Sequence, residues 1–309
     1  MDQCYARPYY KDTGRRPYLY YAVIGIDGEA ELEISRSRHR VDEVPAGLVI
    51  KAFRRAEHAA EMDQLLGGAL GRVLENQDRA LYKKAKAGET WLILQGEVQK
   101  DDTLDYLRNA VGIVQAALDM GADAVLDLHA LRLISPQGWK TFFDPPFSPW
   151  EHVTFLWSPM EDGSFWLHTR GMLKFGRPDI GLEGVPQSEQ GRAMDIFKQM
   201  VFYGAQGAAF TRNTRLHISE HTACMLHPEL AGEMDDPDYN NEHYQMTWAD
   251  CKFEDVQGRI SSARRINVRR AGRPGAPPLE GRGDGARRAG SSRPTQGYHI
   301  KMRRKIPCY

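Results

Sequence analysis

The sequence predicts an α+β fold, with a mixed, mostly antiparallel sheet and helices largely on one face. Three observations predict it. Strand-like runs recur in pairs about turn residues, one segment keeps clear helical periodicity, and helices stand between groups of strands. A chain of 309 residues, 41% of them hydrophobic, has enough apolar material for a sizeable core. The expected organisation is a flexible segment at 1–17, a single domain at 18–250 and a disordered basic tail at 259–309.

The first expected elements are strands at 19–26 and 30–34, joined as a hairpin by Asp27-Gly28, a pair suited to the left-handed conformations of a tight turn. A strand follows at 48–53. Residues 56–87 read as helix interrupted at Gly67-Gly68 and at Gly71, and the apolar run at 90–94 reads as a buried strand. From Asp102 a helix places Leu104, Leu107, Val111, Val114 and Leu118 on one face, with Asp101 or Asp102 as cap and Gly121 beyond its end. A strand at 124–130 then completes an expected βαβ crossover with the strand at 91–98.

The proline-rich connection at 136–149 and its flank carry Trp139, Phe142, Phe143, Phe147 and Trp150. Such a segment packs as a loop on the core, or else offers a partner surface. Strands at 152–157 and 164–169 flank a turn containing Asp162-Gly163. The run 166–180 then breaks at Gly171, Gly176 and Pro178, which reads as a corner leading to a strand at 179–182. Ser188 starts a helix with Ala193, Ile196, Phe197, Met200 and Tyr203 on one side, ended by Gly204 and Gly207. A last hairpin pairs 216–218 with 222–226, and 235–241 is Asp/Asn-rich loop.

The formal charge of zero conceals two opposite halves. Residues 259–309 hold 14 Lys and Arg against Glu280 and Asp284, a net +12, which leaves 27 basic and 39 acidic residues, a net −12, in the rest. Three readings fit this Arg/Gly/Pro-rich tail: nucleic-acid binding by phosphate neutralisation, docking onto the acidic body, or out-of-frame translation of GC-rich DNA. Nucleic acid is an expected partner only if the tail is a genuine segment, and the general expectation is a protein partner. No run is apolar and long enough for a membrane span, and residues 1–17 lack the apolar stretch of a secretory signal. Cys4, Cys224, Cys251 and Cys308 are scattered and read as free thiols, so a cytoplasmic location is expected.

Candidate chemistry falls in two places. Strand alternation puts Trp166, His168 and Arg170 on one face, and Asp127 and His129 on one face of the strand at 124–130. Brought together, Asp127, His129, His168 and Arg170 would orient an imidazole as general base and bind an anion, the arrangement of a hydrolase. The structural alternative makes Asp127 and His129 a hydrogen-bonded pair and Arg170 a surface cation. Arg170, Arg177 and Asp179 are binding candidates, because the corner's glycines and proline leave these charges without an architectural role. The second place is His217, His221 and His227, with Glu220 and Cys224 between them. These are metal-ligand types, but Glu220 stands in the wrong position for H-E-x-x-H, so no metal is assigned. No P-loop, G-x-S-x-G or G-x-G-x-x-G motif is present, and no cofactor is expected.

Within the corner, Thr169-x-Gly171-Met172-x-x-Phe175-Gly176-x-Pro178-Asp179 resembles the strand-and-turn motif of an uncharacterised bacterial "domain of unknown function" family. The resemblance implies a cytoplasmic bacterial α+β domain with no assigned activity, and it transfers no catalytic residue. The function expected from the sequence is therefore a non-enzymatic binding or interaction role.

Overall fold

The computed structural model describes residues 5–26, 31–210, 215–219, 222–229, 236, 238–253 and 297–300 of the chain. Its strands are β1 (Tyr18–Ile24), β2 (Leu32–Ser35), β3 (Val49–Arg54), β4 (Thr90–Glu97), β5 (Ala124–Asp127), β6 (Arg132–Ile134), β7 (Thr154–Pro159), β8 (Phe165–Arg170), β9 (Asp179–Val185), β10 (Arg215–Ser219), β11 (Thr222–Met225), β12 (His227–Glu229), β13 (His243–Thr247), β14 (Lys252–Phe253) and β15 (Gly297–Ile300). The helices are α1 (Arg36–His39), α2 (Arg55–Leu65), α3 (Gly68–Gln77), α4 (Arg79–Ala87), α5 (Asp105–Asp119), α6 (Pro136–Phe143) and α7 (Gln190–Ala205). The fold is α+β, and its sheets are mostly antiparallel.

The first sheet has the order β3-β4-β1-β5-β6. β1 is its centre, because Leu19, Tyr21 and Val23 alternate with Ala22 and Ile24, and both sets are apolar and buried. One set joins the core built with α5 and α6, and the other joins α2, α3 and α4. Helices therefore cover both faces of this sheet. The expected one-faced arrangement is found in the second sheet, β12-β13-β9-β8-β7, where α7 packs Ile196, Phe197 and Met200 against Leu167, Ile180 and Leu182.

Several local expectations change for identifiable reasons. β1 does not pair with β2. It pairs antiparallel with β4 and β5, β2 pairs with β15, and Asp27-Gly28 lies outside the described residues. The expected βαβ unit is split: β4 and β5 run parallel to each other with β1 between them. Neither Asp101 nor Asp102 caps α5, whose cap is Leu104 with no side-chain bond, because Asp101 accepts hydrogen bonds from Arg7, Tyr10 and Arg16. Gly71 continues α3, and the break that sequence reading missed is at Asp78, whose side chain accepts from the Leu81 amide and starts α4. Ser188 is likewise no cap; a 3-10 turn at Gln187–Glu189 precedes α7, which runs through Gly204 and ends before Gly207.

The N-terminal segment, expected to be flexible, is tied down where it is described. Arg7 is buried and donates to the carbonyls of Asp101, Phe175 and Ala205. The connection after β6 is also more ordered than a loop. Ser135 accepts from the Gly138 amide, Pro136 opens α6, and Trp139 and Phe142 stack at 4.8 Å inside the core. Cys224 and Cys251 form a disulfide rather than free thiols, while Cys4 and Cys308 lie outside the described residues. Of the basic tail, only β15 is described. Among the described residues no helix is long and apolar enough to cross a membrane.

Candidate functional site

The two sheets meet where the chain leaves β5 and β8. After β5 the backbone turns sharply: the Asp127 carboxylate accepts from the Ala130 amide at 3.1 Å, and Leu131 adopts φ 48°. His129 therefore sits in a turn rather than on a strand. After β8, Gly171 (φ 115°) and Gly176 (φ 64°) bracket a 3-10 turn, Met172–Phe175. Those two left-handed positions fold the turn back toward the first sheet. Lys174 is carried by this turn, wholly buried, and its ammonium pairs with the Asp127 carboxylate.

That pair redefines the cluster. Asp127 has one oxygen on Lys174 and the other on the Ala130 amide, so it does not orient His129. Neither nitrogen of the buried His129 ring has a hydrogen-bond partner among the described residues. Burial holds its pKa down at about 4, and the cations of Lys174 and Arg170 push the same way against Asp127. Its ring meets Tyr18 edge to face at 5.7 Å. Burial also lowers the Lys174 pKa, against the pull of Asp127.

Arg170 is not a surface cation. It is fully buried at the end of β8, where Nε donates to the His129 carbonyl at 3.4 Å and Nη1 donates to the Asp236 carbonyl at 2.6 Å. Among the described residues Nη2 has no hydrogen-bond partner, and no carboxylate lies within ion-pair distance. Burial lowers its pKa, opposed at longer range by Asp179 and Asp236.

His168 shares this face of β8. Its ring stacks on Trp166 at 4.0 Å and meets Tyr239 at 5.2 Å, while Tyr239 stacks on His243 of β13 at 3.5 Å. Tyr239 approaches so closely that a Cβ on Gly181, the residue paired with His168, would overlap its hydroxyl. Among the described residues the His168 nitrogens have no hydrogen-bond partner; the Asp238 carboxylate lies 3.8 Å away. Burial and the charge on Arg170 hold the His168 pKa at about 4. Residues 236 and 238–241 thus cover the polar face of the second sheet.

Arg177 and Asp179 are buried too, and both are structural. Arg177 donates to the carbonyls of Lys11, Gly176, Gly207 and Ala208. Asp179 accepts from the Thr169 hydroxyl at 2.9 Å, the Met172 amide at 3.2 Å and the Asn241 amide group at 2.8 Å. Burial raises its pKa, while the hydrogen bonds from Asn241, Met172 and Thr169 lower it. These two residues hold the corner closed instead of facing a ligand.

The histidines of the other candidate site are not brought together across one hairpin. His217 of β10 is opposite Ala223, His227 belongs to β12 opposite Gln245, and His221 lies outside the described residues.

Sequence reading brought Asp127, His129, His168 and Arg170 to the right region, but it missed Lys174, Tyr239, Asn241 and His243. Lys174 had one visible signal, a lone cation between two glycines in an otherwise apolar turn. Comparison with protein-family models, curated proteins and solved structures finds no match for the chain.

Proposed function

We propose that this chain is a binding protein without turnover, and that it holds a small ligand bearing a carboxylate or phosphate group at Arg170. The observation that carries the reading is a fully buried guanidinium whose Nη2 has no partner among the described residues, beside neutral imidazoles whose nitrogens likewise have none there. A buried donor left unmade costs roughly 1–3 kcal/mol, and more when it is charged, so the folded state gains when a ligand oxygen completes it. Oxyanion oxygens match the planar fork of arginine, and a neutral imidazole supplies one further N–H.

The hydrolase reading has less support. A general base needs an imidazole oriented by a neighbour, and Asp127 is committed to Lys174 and Ala130. Docking of a protein on the aromatic connection is weakened by the burial of Trp139 and Phe142 and the part burial of Phe143 and Phe147; Trp150 is 41% exposed and stacks with Phe202 at 6.3 Å. The nucleic-acid reading concerns residues almost wholly outside those described.

Calorimetric titration of the full chain with inorganic phosphate and with small carboxylates tests the proposal. Saturable one-to-one binding that weakens at least about tenfold in Arg170→Gln, with cooperative unfolding retained, is the expected result. Equal binding by the two proteins, or heats that never saturate, would refute it.

A further inference from the structure

His168 and Arg170 stand two residues apart on one face of β8, which puts their Cα atoms roughly 7 Å apart, and both side chains are buried. Charged and titratable groups face His168 from the elements packed around it. Arg170 lies on its own strand, Asp179 and Glu183 stand on either side of Gly181, its partner on β9, and β7 opposes it with Leu156. His243 acts on it from β13, and Asp236, Asp238 and Tyr239 come from the connection before β13. Among these described neighbours Arg170 is the one fixed cation. An oxyanion reaching it therefore meets more carboxylates than positive charges, and a second cation beside Arg170 would strengthen its hold.

The His168 ring is placed to become that cation. Among the described residues its two nitrogens have no hydrogen-bond partner, and the Asp238 carboxylate lies 3.8 Å from Nε2. With Arg170 unneutralised, a proton on the ring would bury two like charges side by side, and burial together with Arg170 holds the pKa at about 4. An oxyanion on Arg170 cancels the charge that opposes the proton. His129 is less suited, because the ammonium of Lys174 as well as Arg170 opposes its protonation.

We infer that the Arg170 site takes up its oxyanion together with one proton, drawn from solvent and held on the His168 ring. The inference rests on the binding role proposed above and names what is bound with the anion. Linkage makes the effect reciprocal: the anion raises the proton affinity of His168 by the same factor by which the proton raises affinity for the anion. The site thus loads from mildly acidic solution and releases as pH rises to neutrality. An anion at close range raises an imidazole pKa by about 1–3 units, and a rise of about two makes binding about tenfold tighter at pH 5 than at pH 7.

Calorimetric titration of the full chain with sodium sulfate, an oxyanion that holds no proton of its own between pH 5 and 7, tests this. Titrations at pH 5.5 in buffers of low and high ionisation heat, free of carboxylate and phosphate, count the protons taken up. Uptake of more than about half a proton per sulfate, tenfold tighter binding at pH 5 than at pH 7, and loss of both in His168→Gln but not in His129→Gln are expected. The His168 ring signals of the unaltered chain, followed by NMR from pH 7 to 4.5, should titrate at a pKa at least about one unit higher with saturating sulfate than without. Saturable sulfate binding with no proton uptake, or with the His168 titration unmoved, overturns the inference and leaves the binding role standing. Sulfate heats that saturate at neither pH remove the binding role itself, and this inference with it.

Discussion

Lys174 and Asp127 form an ion pair that joins the two halves of the fold, each side chain fully buried, Asp127 at the end of β5 in the first sheet and Lys174 in the turn that follows β8 of the second. The pair explains why Asp127 and His129, two residues apart in sequence, do not act together. The two Asp127 oxygens receive the Lys174 ammonium and the Ala130 amide, and neither His129 ring nitrogen reaches them among the described residues.

Removing one partner of this pair leaves the other charge buried alone. Lys174→Met is expected to destabilise the protein by about 3–5 kcal/mol, measured by urea unfolding, and a second substitution, Asp127→Asn, is expected to recover part of the loss because it removes the orphan charge. A double variant less stable than Lys174→Met alone would contradict the pairing.

Stability should fall on mild acidification. The pKa values of His129 and His168 are held at about 4 in the folded protein by burial, below the ordinary value of 6.5 that an unfolded chain presents. Between those values the unfolded chain binds more protons, so the contribution is complete above pH 6.5 and is lost as pH falls toward 4. The shifts correspond to a loss of about 3 kcal/mol for each histidine. Urea midpoints from pH 7 to 4 measure it, and His129→Gln should flatten the slope; an unaltered slope in that variant would remove His129 from the account.

Arg177 ties the segment near Lys11 to the end of α7 and to the corner at Gly176. Arg177→Met strands several carbonyls at once, so limited trypsin digestion should cut at Lys11 or Arg15 at least about tenfold faster while the remaining domain persists. Equal cleavage rates would show that the segment is anchored elsewhere, for instance through Arg7 and Asp101.

How much of this was legible in the sequence depended on the range of the interactions. The hairpin of β7 and β8 was readable because Asp162-Gly163 specifies its turn locally, and α7 was readable from its apolar period. The partner of β1 was not, because pairing with β4 and β5 rather than β2 is decided by two-sided burial that no local pattern encodes. At the site, alternation correctly put His168 and Arg170 on one face. It failed for His129, since the Asp127 turn ends β5 one residue after Leu126 and aims the imidazole by turn geometry. Lys174, Tyr239 and His243 enter the site through contacts between segments remote in sequence, and the disulfide between Cys224 and Cys251 is of the same kind.

The proposed binding role requires that the open guanidinium edge of Arg170 receive an oxyanion. Nitrogen NMR of the arginine side chains and histidine rings during titration with inorganic phosphate observes that edge directly. The Arg170 Nη2 and His129 ring signals are expected to shift together and saturate at one equivalent, while Arg177, whose donors are all engaged, stays still. Shifts confined to exposed arginines and lysines, with Arg170 and His129 unmoved at saturating phosphate, would contradict it.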